Sequence, residues 1–465
     1  MNTAVDLFKH LSLTGHEAQN FLMGPKPLED DFEMDCANSS NYWLSAQKLL
    51  SLLPPKSQRS RDESSVVELI FKSTRAHRDA FLSLHCSTLY DKLTHQRTQF
   101  LRLDQLLAEA SLKLPGLVPS NAVLAKEQEL IQSQKEGHEI DQGIFFSHVL
   151  SHFNEGMHLC QAMLLEHPQT REYRDEFMSR GRLELPGISL ERRDRAVYWT
   201  LQNGQYLNAE DDTTLTHTEI ATDLAIWDPQ TSIAVMRGGI VPQGKYKDER
   251  VFCSGINLTR LYNGKIPFLF YLERDMGVVN KIFRGLAYKE HSANDMLGQT
   301  LEKLWIAVVD RFAIGGGCQY LLVTDINIAA DNAYMTLPAR KEGIIPGVAN
   351  MRLPRFVGDR MARQAIMMEK RIDCQSDMGR MICDEVVHPE QLESTLEKTI
   401  DTITSSGVVS ASGNRRAFRV AVESLDLFRQ YMSVYAREQA LCHFSPALIS
   451  NLEKNWDAHN RKLKN

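Results

Sequence analysis

The chain has 465 residues, of which 43% are hydrophobic and 24% are charged, and 53 basic against 59 acidic side chains give a formal charge of −6. This balance is typical of a globular protein with a sizeable core, and it lacks the basic excess expected of a protein that binds nucleic acid or an anionic membrane. No segment approaches the roughly 18 apolar residues of a membrane span, and no secretion signal is visible, so we expect a cytoplasmic protein. The eight cysteines are scattered without a CxxC pair, which favours reduced thiols.

The first third of the chain is predicted to be helical. Residues 1–60 give mixed signals, but apolar residues recur three or four positions apart over residues 64–112 and again over 123–164. Runs of β-branched residues and glycine turns are few before residue 180. We therefore predict an all-helical N-terminal domain over residues 1–185.

The pattern changes at a Pro186-Gly187 turn. Beyond it, short apolar segments alternate with helical stretches and glycine-rich turns, which indicates an α/β domain of crossover units over residues 186–465. The segments predicted as strands are residues 196–201, 231–236, 304–309 and 321–328. The chain is predicted to be helical again from residue 417 to residue 464.

Two glycine-containing segments carry the residues best suited to chemistry. The first is VFCSGINL (251–258), and the second, 305–319, reads as a buried strand, a triple glycine and the start of a helix. Glycine lets a ligand oxygen approach the backbone, and a helix start offers unpaired N–H donors. One donor from each segment would form an oxyanion hole, although a tight strand–helix turn explains the triple glycine equally well. The phosphate loop GxxxxGK[ST] and the dinucleotide motif GxGxxG are absent, which disfavours nicotinamide and flavin.

Three motifs in order, FCSGINL, FAIGGGCQ and LPARKEGIIPG, resemble those of the crotonase superfamily of acyl-CoA enzymes. The resemblance starts near residue 186 and implies a spiral of ββα units. It also implies that the amides of Ile256 and Gly316 bind a thioester carbonyl and stabilise an enolate. Members of the superfamily form trimers or hexamers, so a homo-oligomer is expected.

Two departures argue against the hydratase activity of this superfamily. Hydratases carry a glutamate directly after GGGC and another after the proline of the third motif, where this chain has Gln319 and Ala339. Addition of water needs a paired acid and base, and neither an amide nor a methyl group can titrate. Arg311 also stands where the superfamily usually has glycine, and the sequence leaves its effect open.

Further segments resemble the cofactor-independent oxygenases of the superfamily: YLNAEDD, YLERDMGVVNKIFRGL, GGGCQYLL and the helical GHEIDQGIFFSHVL. This resemblance implies (3,5-dihydroxyphenyl)acetyl-CoA and O₂ as substrates, and 3,5-dihydroxyphenylglyoxylate and CoA as products. It implies no cofactor and no metal, and a role in antibiotic biosynthesis that leads to dihydroxyphenylglycine. The ring substitution of the substrate rests on the resemblance alone.

By motif position, the resemblance assigns Ile256, Gly316, Arg274 and Gln319 to catalysis. It also implies substrate contacts for Glu210, Lys245, Tyr246, Ser254, Gly255, Asn257 and Gly315. Other interpretations stay open, since Arg274 could form a surface ion pair with a neighbouring carboxylate, and Glu210 and Lys245 could simply be solvated. The base that removes the α-proton is not identified.

Three further interpretations are weighed. His148, His152 and His158 share a predicted helix with Glu155 and could bind zinc, but HEXXH is absent and packing is the preferred reading. The enzyme could instead be an acyl-CoA hydrolase or decarboxylase that uses the same oxyanion hole without O₂. It could also be an acyl-CoA-binding protein without catalytic activity.

Overall fold

The computed structural model describes residues 4–11, 13, 15–292, 299–405, 407–461 and 463. The chain divides into two compact units. The first unit comprises Met1–Leu159, Asn263–Leu269 and Met432–Pro446, and the second comprises Cys160–Tyr262, Phe270–Tyr431 and Ala447–Asn465. The predicted domain boundary between residues 185 and 186 stays a prediction.

The N-terminal third is helical, as predicted. Its helices are α1 (Ala4–His10), α2 (His16–Met23), α3 (Phe32–Ser51), α4 (Arg61–Leu93), α5 (Leu103–Lys113), α6 (Asn121–Gln128), α7 (Ile140–Ser151), α8 (Phe153–Leu164) and α9 (Thr170–Arg180). A capping box starts α4, in which Ser60 and Glu63 satisfy each other's backbone amides. The 20-residue helix α3 was not predicted, because its asparagines and serines favour non-helical backbone conformations.

A seven-stranded sheet forms the centre of the second unit. Its strands lie in the order β1 (Arg182–Leu185), β2 (Ile188–Arg193), β3 (Ala196–Leu201), β4 (Ile233–Gly238), β7 (Leu304–Val309), β9 (Ile326–Ala330) and β12 (Glu385–Val387). The first three strands are antiparallel, and β3 to β12 run parallel. Every residue of β4 and β7 is buried, which is expected of parallel strands covered on both faces.

The other elements that follow strand β3 complete the chain. They are α10 (Leu215–Trp227), α11 (Leu258–Tyr262), α12 (Leu269–Glu273), α13 (Asn280–Arg284), β5 (Leu286–Ala287), β6 (Thr300–Leu301), β8 (Phe312–Ile314), α14 (Gly316–Tyr320), β10 (Tyr334–Thr336), α15 (Ala339–Glu342), α16 (Ala349–Met367), β11 (Ile372–Asp373), α17 (Leu392–Thr404), α18 (Val409–Val422), α19 (Leu425–His443) and α20 (Pro446–Trp456). A second sheet has the order β11-β10-β8, and β5 pairs with β6. Among the described residues, no helix combines the length and the apolar character needed to cross a bilayer.

The strand predictions differ in accuracy. Strands β3 and β7 coincide with the predicted segments 196–201 and 304–309, and β4 begins two residues later than predicted. The prediction of a strand over residues 321–328 was partly wrong, because residues 321–325 form turns and bends after α14, of which 321–323 are buried, and the strand β9 starts only at Ile326. An apolar run in a buried turn gives the same sequence signal as a buried strand.

Helices α18 to α20 confirm that the chain end is helical, although α18 already begins at Val409 and α20 ends at Trp456. Lys464 lies outside the described residues. The effect of Arg311 is also clear. Its side chain is 40% exposed and forms an ion pair with Glu249, so the arginine points outward at the turn between β7 and β8.

A buried cluster of one acid and three arginines connects α13, α16 and the end of α18. The carboxylate of Glu423 is fully buried and lies 3.2 Å from Arg284, 2.8 Å from Arg352 and 2.8 Å from Arg355. Burial alone would raise the pKa of Glu423, but the arginines lower it to about 2. The second unit therefore depends on this carboxylate remaining ionised.

Replacing Glu423 with glutamine is expected to lower the free energy of unfolding by about 3–5 kcal/mol, because three arginines then lack their shared buried counter-charge. The lowered pKa means that the ionised carboxylate stabilises the wild type above the unfolded-state pKa of about 4.3, and that this contribution is lost as the pH falls toward 2. Urea unfolding at pH 7 and pH 3 should show a smaller difference between the two pH values in Glu423→Gln.

The matched control is Glu393→Gln, since Glu393 also pairs with an arginine but is 61% exposed. We expect this exposed pair to contribute no more than about 1 kcal/mol. Equal losses in the two variants would contradict the role assigned to the buried cluster.

Candidate active site

The two glycine-containing segments lie side by side in the second unit. Cys253 forms a parallel bridge with Ala313, and the Ile314 amide donates to the Cys253 carbonyl at 3.0 Å. Gly255 has φ +83°, and a Cβ built on it would lie 2.8 Å from the Ile314 carbonyl oxygen. Glycine is required at position 255 for both reasons, because a side chain would separate the two segments.

Each segment contributes a backbone amide that takes no part in the hydrogen bonding of the neighbouring backbone. The Glu210 amide donates to Gly255 and the Asn257 amide donates to Glu210, both at 2.8 Å, so the Ile256 amide between them takes no part in this pairing. Gly316 is the first residue of α14 and follows Gly315, which has φ +52° and ψ −113°. Within the described ranges, neither the Ile256 amide nor the Gly316 amide donates a hydrogen bond to the protein. Two such donors can hold one oxyanion.

Cys253 connects the two segments from behind. Its sulfur accepts a hydrogen bond from the Gly255 amide at 3.3 Å, and a Cβ built on Gly317 would lie 2.8 Å from the Cys253 Cβ. Burial raises the pKa of the Cys253 thiol, and the negative charge of Glu210 raises it further. The thiol therefore stays protonated and fills space at the base of the two segments rather than acting as a nucleophile.

Arg274 is the centre of a buried polar network next to these amides. Its Nε donates to the Glu210 carboxylate at 2.9 Å, its Nη1 donates to Gln319 Oε1 at 2.7 Å, and its Nη2 donates to the Gly316 carbonyl at 2.9 Å. Arg274 Nη1 also donates to Asp275 at 3.2 Å, and the Tyr320 hydroxyl donates to Glu210 at 2.5 Å. These contacts bring three of the predicted site residues together beside Gly316.

The burial of this network decides between the interpretations that the sequence left open. Arg274 is 5% exposed and Glu210 is 4% exposed, so neither is a solvated surface residue. Burial would lower the pKa of Arg274, but Glu210, Tyr320 and Asp275 raise it well above its ordinary value. The guanidinium therefore stays charged, and it fixes both the carboxylate and the amide in place.

The backbone that carries Arg274 is a π-helix over Arg274–Val279, between α12 and α13. Short π-helical turns are uncommon and are frequent at functional sites. All six residues of this turn are buried. Sequence reasoning did not predict the turn, because a π-helix has no distinct periodicity over six residues.

The third motif closes the network at Gly347. This glycine has φ +49°, and a Cβ built on it would overlap Gln319 Oε1 and lie 2.9 Å from Asp275 Oδ2. The Tyr431 hydroxyl donates to the Gly347 carbonyl and holds the turn in place. Sequence reasoning missed Asp275, Tyr320, Gly347 and Tyr431 as site residues, although Asp275 and Tyr320 directly follow two residues that it identified.

The other predicted substrate contacts lie near the first segment. The Ser254 hydroxyl donates to the Tyr206 carbonyl at 3.0 Å, and the side-chain amide of Asn257 donates to the Asp211 carboxylate at 2.9 Å. The Tyr246 ring packs against Phe312 at 5.3 Å, with the ammonium of Lys245 5.2 Å from the Tyr246 ring centre. A substrate contact of Lys245, Tyr246, Ser254, Gly255, Asn257 or Gly315 stays a prediction.

The histidines considered as zinc ligands have protein partners. His148 lies 2.9 Å from the Asp79 carboxylate, and His158 bonds to the Tyr90 hydroxyl at 2.8 Å. Within the part of the chain that the structure describes, no three His, Cys, Asp or Glu side chains are arranged to hold a metal ion.

Known proteins are similar to this chain in sequence. Residues 193–439, more than half of the chain, match the family described as enoyl-CoA hydratase/isomerase. The chain is 42% identical to (3,5-dihydroxyphenyl)acetyl-CoA 1,2-dioxygenase of Amycolatopsis orientalis, over 87% of this chain and 92% of that protein. It is 28% identical to crotonyl-CoA hydratase of Syntrophomonas wolfei, over 55% of this chain and 89% of that protein.

Among solved structures, an enoyl-CoA hydratase from Mycobacterium avium subsp. paratuberculosis superposes with a TM-score of 0.48 and 20% identity, over 58% of this chain and 98% of that one. The family match covers strands β3 to β12 of the central sheet, both glycine-containing segments and the third motif. The chain therefore belongs to the enoyl-CoA hydratase/isomerase family, the crotonase superfamily, with an added helical N-terminal region.

Proposed function

We propose that the protein is a cofactor-independent dioxygenase that converts (3,5-dihydroxyphenyl)acetyl-CoA and O₂ into 3,5-dihydroxyphenylglyoxylate and CoA. The observation that carries this proposal is the pair of unpartnered amides, Ile256 and Gly316, beside a buried network that contains a glutamine in place of a hydratase glutamate. The substrate and the oxygen chemistry are supported by the relative that is 42% identical over most of both chains and bears this activity in its name.

The two amides would bind the thioester oxygen and stabilise the negative charge that develops on it. A benzylic carbon next to a polarised thioester loses a proton readily and gives an enolate. The two meta hydroxyls make this enolate electron-rich, so it can transfer an electron to O₂. The two radicals then join to form a peroxide at the benzylic carbon. The peroxide attacks the thioester carbonyl and the C–S bond breaks, which releases CoA as the thiolate and leaves both oxygen atoms of O₂ bonded to the acyl group. The remaining benzylic C–H bond then breaks together with the O–O bond, and its electron pair forms the ketone of the arylglyoxylate. Of the two protons lost from the benzylic carbon, one returns to the CoA thiolate and the other is released.

The remaining residues would orient the substrate and exclude water. Arg274 and Glu210 hold each other in a buried ion pair, and the amide of Gln319 offers N–H donors to the substrate. Lys245 and Tyr246 would contact the CoA moiety before the first segment. The acyl-CoA and O₂ are the partners of this proposal, together with a homo-oligomeric assembly and a cytoplasmic location.

The chain lacks the two glutamates with which hydratases of the superfamily add water, and this argues against hydratase activity. Gln319 cannot titrate, and Ala339 at the start of α15 has no side chain that could bind a proton. Both residues differ from the glutamates that the superfamily uses to add water.

Oxygen uptake by EDTA-treated protein tests the proposal directly. We expect (3,5-dihydroxyphenyl)acetyl-CoA to produce equal amounts of O₂ consumption and free thiol, and no thiol under argon. Thiol release that continues under argon would instead make the protein a hydrolase. Tight substrate binding without O₂ consumption or thiol release would make it an acyl-CoA-binding protein.

A further inference from the structure

Two buried carboxylates contact Arg274, and they differ in how completely their oxygens are bonded. Both oxygens of Glu210 accept from Arg274 Nε, at 2.9 and 3.0 Å, and Oε1 also accepts from the Tyr320 hydroxyl. Asp275 accepts one bond, from Arg274 Nη1 to Oδ1 at 3.2 Å. Among the described residues, no donor bonds to Asp275 Oδ2. Glu210 is therefore saturated, whereas Asp275 has an oxygen that can take a proton.

The unbonded oxygen of Asp275 lies next to the site. A Cβ built on Gly347 would lie 2.9 Å from Asp275 Oδ2 and would overlap the side-chain oxygen of Gln319, so these groups meet at one point. Gln319 lies one turn along α14 from Gly316, whose amide is a proposed oxyanion donor. In a bound arylacetyl thioester, the benzylic carbon is one bond from the carbonyl carbon that this amide polarises.

The charges around Asp275 suit a proton acceptor. Burial raises the pKa of Asp275 to about 6, Arg274 and Arg352 oppose this rise, and Glu210 adds to it. Burial raises the pKa of the nearby Tyr431 hydroxyl and the negative charge of Asp275 raises it further, so this hydroxyl stays protonated. At neutral pH the Asp275 carboxylate is thus ionised and more basic than an ordinary aspartate, as general bases require.

We propose that Asp275 is the general base that removes the benzylic proton, an assignment that rests on the proposed function. The C–H bond breaks, the proton moves to Asp275 Oδ2, and the electron pair remains in the enolate. The enolate oxygen is held by the amides of Ile256 and Gly316. Arg274, bonded to Asp275 Oδ1, keeps the other oxygen of the carboxylate directed toward the site.

Hydrogen–deuterium exchange of the benzylic position tests this assignment without O₂. Under argon in D₂O, the wild type should exchange the benzylic hydrogens of (3,5-dihydroxyphenyl)acetyl-CoA, measured by NMR or mass spectrometry. Asp275→Asn keeps the acceptor for Arg274 and should slow exchange by at least about 10²-fold. The substrate Kd, measured by calorimetry, should change less than about three-fold if the variant is folded.

The pH profile separates a base from a structural residue. The exchange rate of the wild type should rise with pH and level off above an apparent pKa near 6. Asp275→Asn should not show this rise. Asp275→Glu should restore part of the exchange rate. Asp384→Asn is the matched control, because this aspartate accepts a bond from the Asn327 amide outside the network. It should exchange at the wild-type rate.

Glu342 is the rival base, since it is buried and burial raises its pKa to about 7. If Glu342→Gln abolishes exchange and Asp275→Asn does not, the assignment to Asp275 is overturned. It is also overturned if Asp275→Asn exchanges at the wild-type rate. These outcomes are independent of the dioxygenase proposal, which fails if the wild type exchanges the benzylic hydrogens but consumes no O₂.

Discussion

Replacing Gly316 with proline should reduce turnover by about 10³-fold, and replacing it with alanine should reduce turnover by about 10²-fold. Removal of one oxyanion donor typically costs about 10²–10³ in rate, and proline at this position has no N–H. Both substitutions also add a Cβ, which would overlap Glu210 Oε2 and lie 2.9 Å from Arg274 Nη2. Gly316→Ala therefore reports the effect of displacing the Arg274–Glu210 ion pair. Gly316→Pro reports this effect together with the loss of the amide hydrogen at position 316.

The comparison needs a glycine whose replacement disturbs nothing. Gly413 lies inside α18 and has no atom within 4 Å of a built Cβ, so Gly413→Ala should retain full turnover and gain up to about 1 kcal/mol of stability. Steady-state O₂ consumption and thermal unfolding of all three variants provide the measurement. If Gly316→Pro turns over within ten-fold of the wild type, the assignment of its amide to the oxyanion hole is wrong.

Replacing Arg274 with methionine should lower turnover more than about 10²-fold and lower the free energy of unfolding by about 3–5 kcal/mol. The substitution leaves Glu210 and Asp275 buried without their counter-charge, which costs more than the loss of a hydrogen bond. It also frees the oxygen of Gln319 and the carbonyl of Gly316. The site then loses the group that connects Glu210 and the second glycine-containing segment to the π-helix.

The pH dependence of Arg274→Met has a defined sign. Without the guanidinium, which opposes the effect of burial, the pKa of Asp275 rises further in the folded state, so the variant binds more protons than the unfolded chain as the pH falls. Its stability deficit relative to the wild type should therefore shrink between pH 7 and pH 5. A constant deficit over this range would show that the network does not titrate as described.

Lys245→Ala provides the contrasting variant, because the ammonium of Lys245 is exposed near the Tyr246 ring and outside the network. We expect it to raise KM several-fold and to leave kcat nearly unchanged, as expected when only binding of a remote substrate group is lost. A larger loss of kcat in Lys245→Ala than in Arg274→Met would reverse the two role assignments.

The sequence predicted those parts of the fold that have a strong local pattern. Strands β3 and β7 were predicted to the residue because buried apolar runs are bounded there by turns. Helix α3 was missed because its polar residues hide its apolar stripe, and β9 was predicted too early because a buried turn precedes it. Both errors arise where burial comes from tertiary packing rather than from the segment itself.

The site residues likewise fall into those that were predicted from the sequence and those that were missed. By motif position the resemblance assigned Ile256, Gly316 and Gln319, which belong to short glycine-containing segments, and it also assigned Glu210 and Arg274. Tyr320 and Tyr431 were missed, because they join the site through hydrogen bonds to residues distant in sequence, Glu210 and Gly347. Asp275 was missed although its hydrogen-bond partner, Arg274, is its neighbour in the chain. A single sequence contains no pattern that pairs Tyr431 with the turn at Gly347.

The amide of Gln319 changes the electrostatic potential of the side of the site that it lines. A guanidinium only donates hydrogen bonds, so the Gln319 oxygen must face Arg274 and its NH₂ group is left for other partners. A glutamate there would present negative oxygens and repel an enolate. The amide presents N–H bonds with a cation behind them, which makes this wall electropositive. This side of the site therefore favours anions. An enolate, a phenolate or a peroxide anion can lie against it without receiving a proton from residue 319.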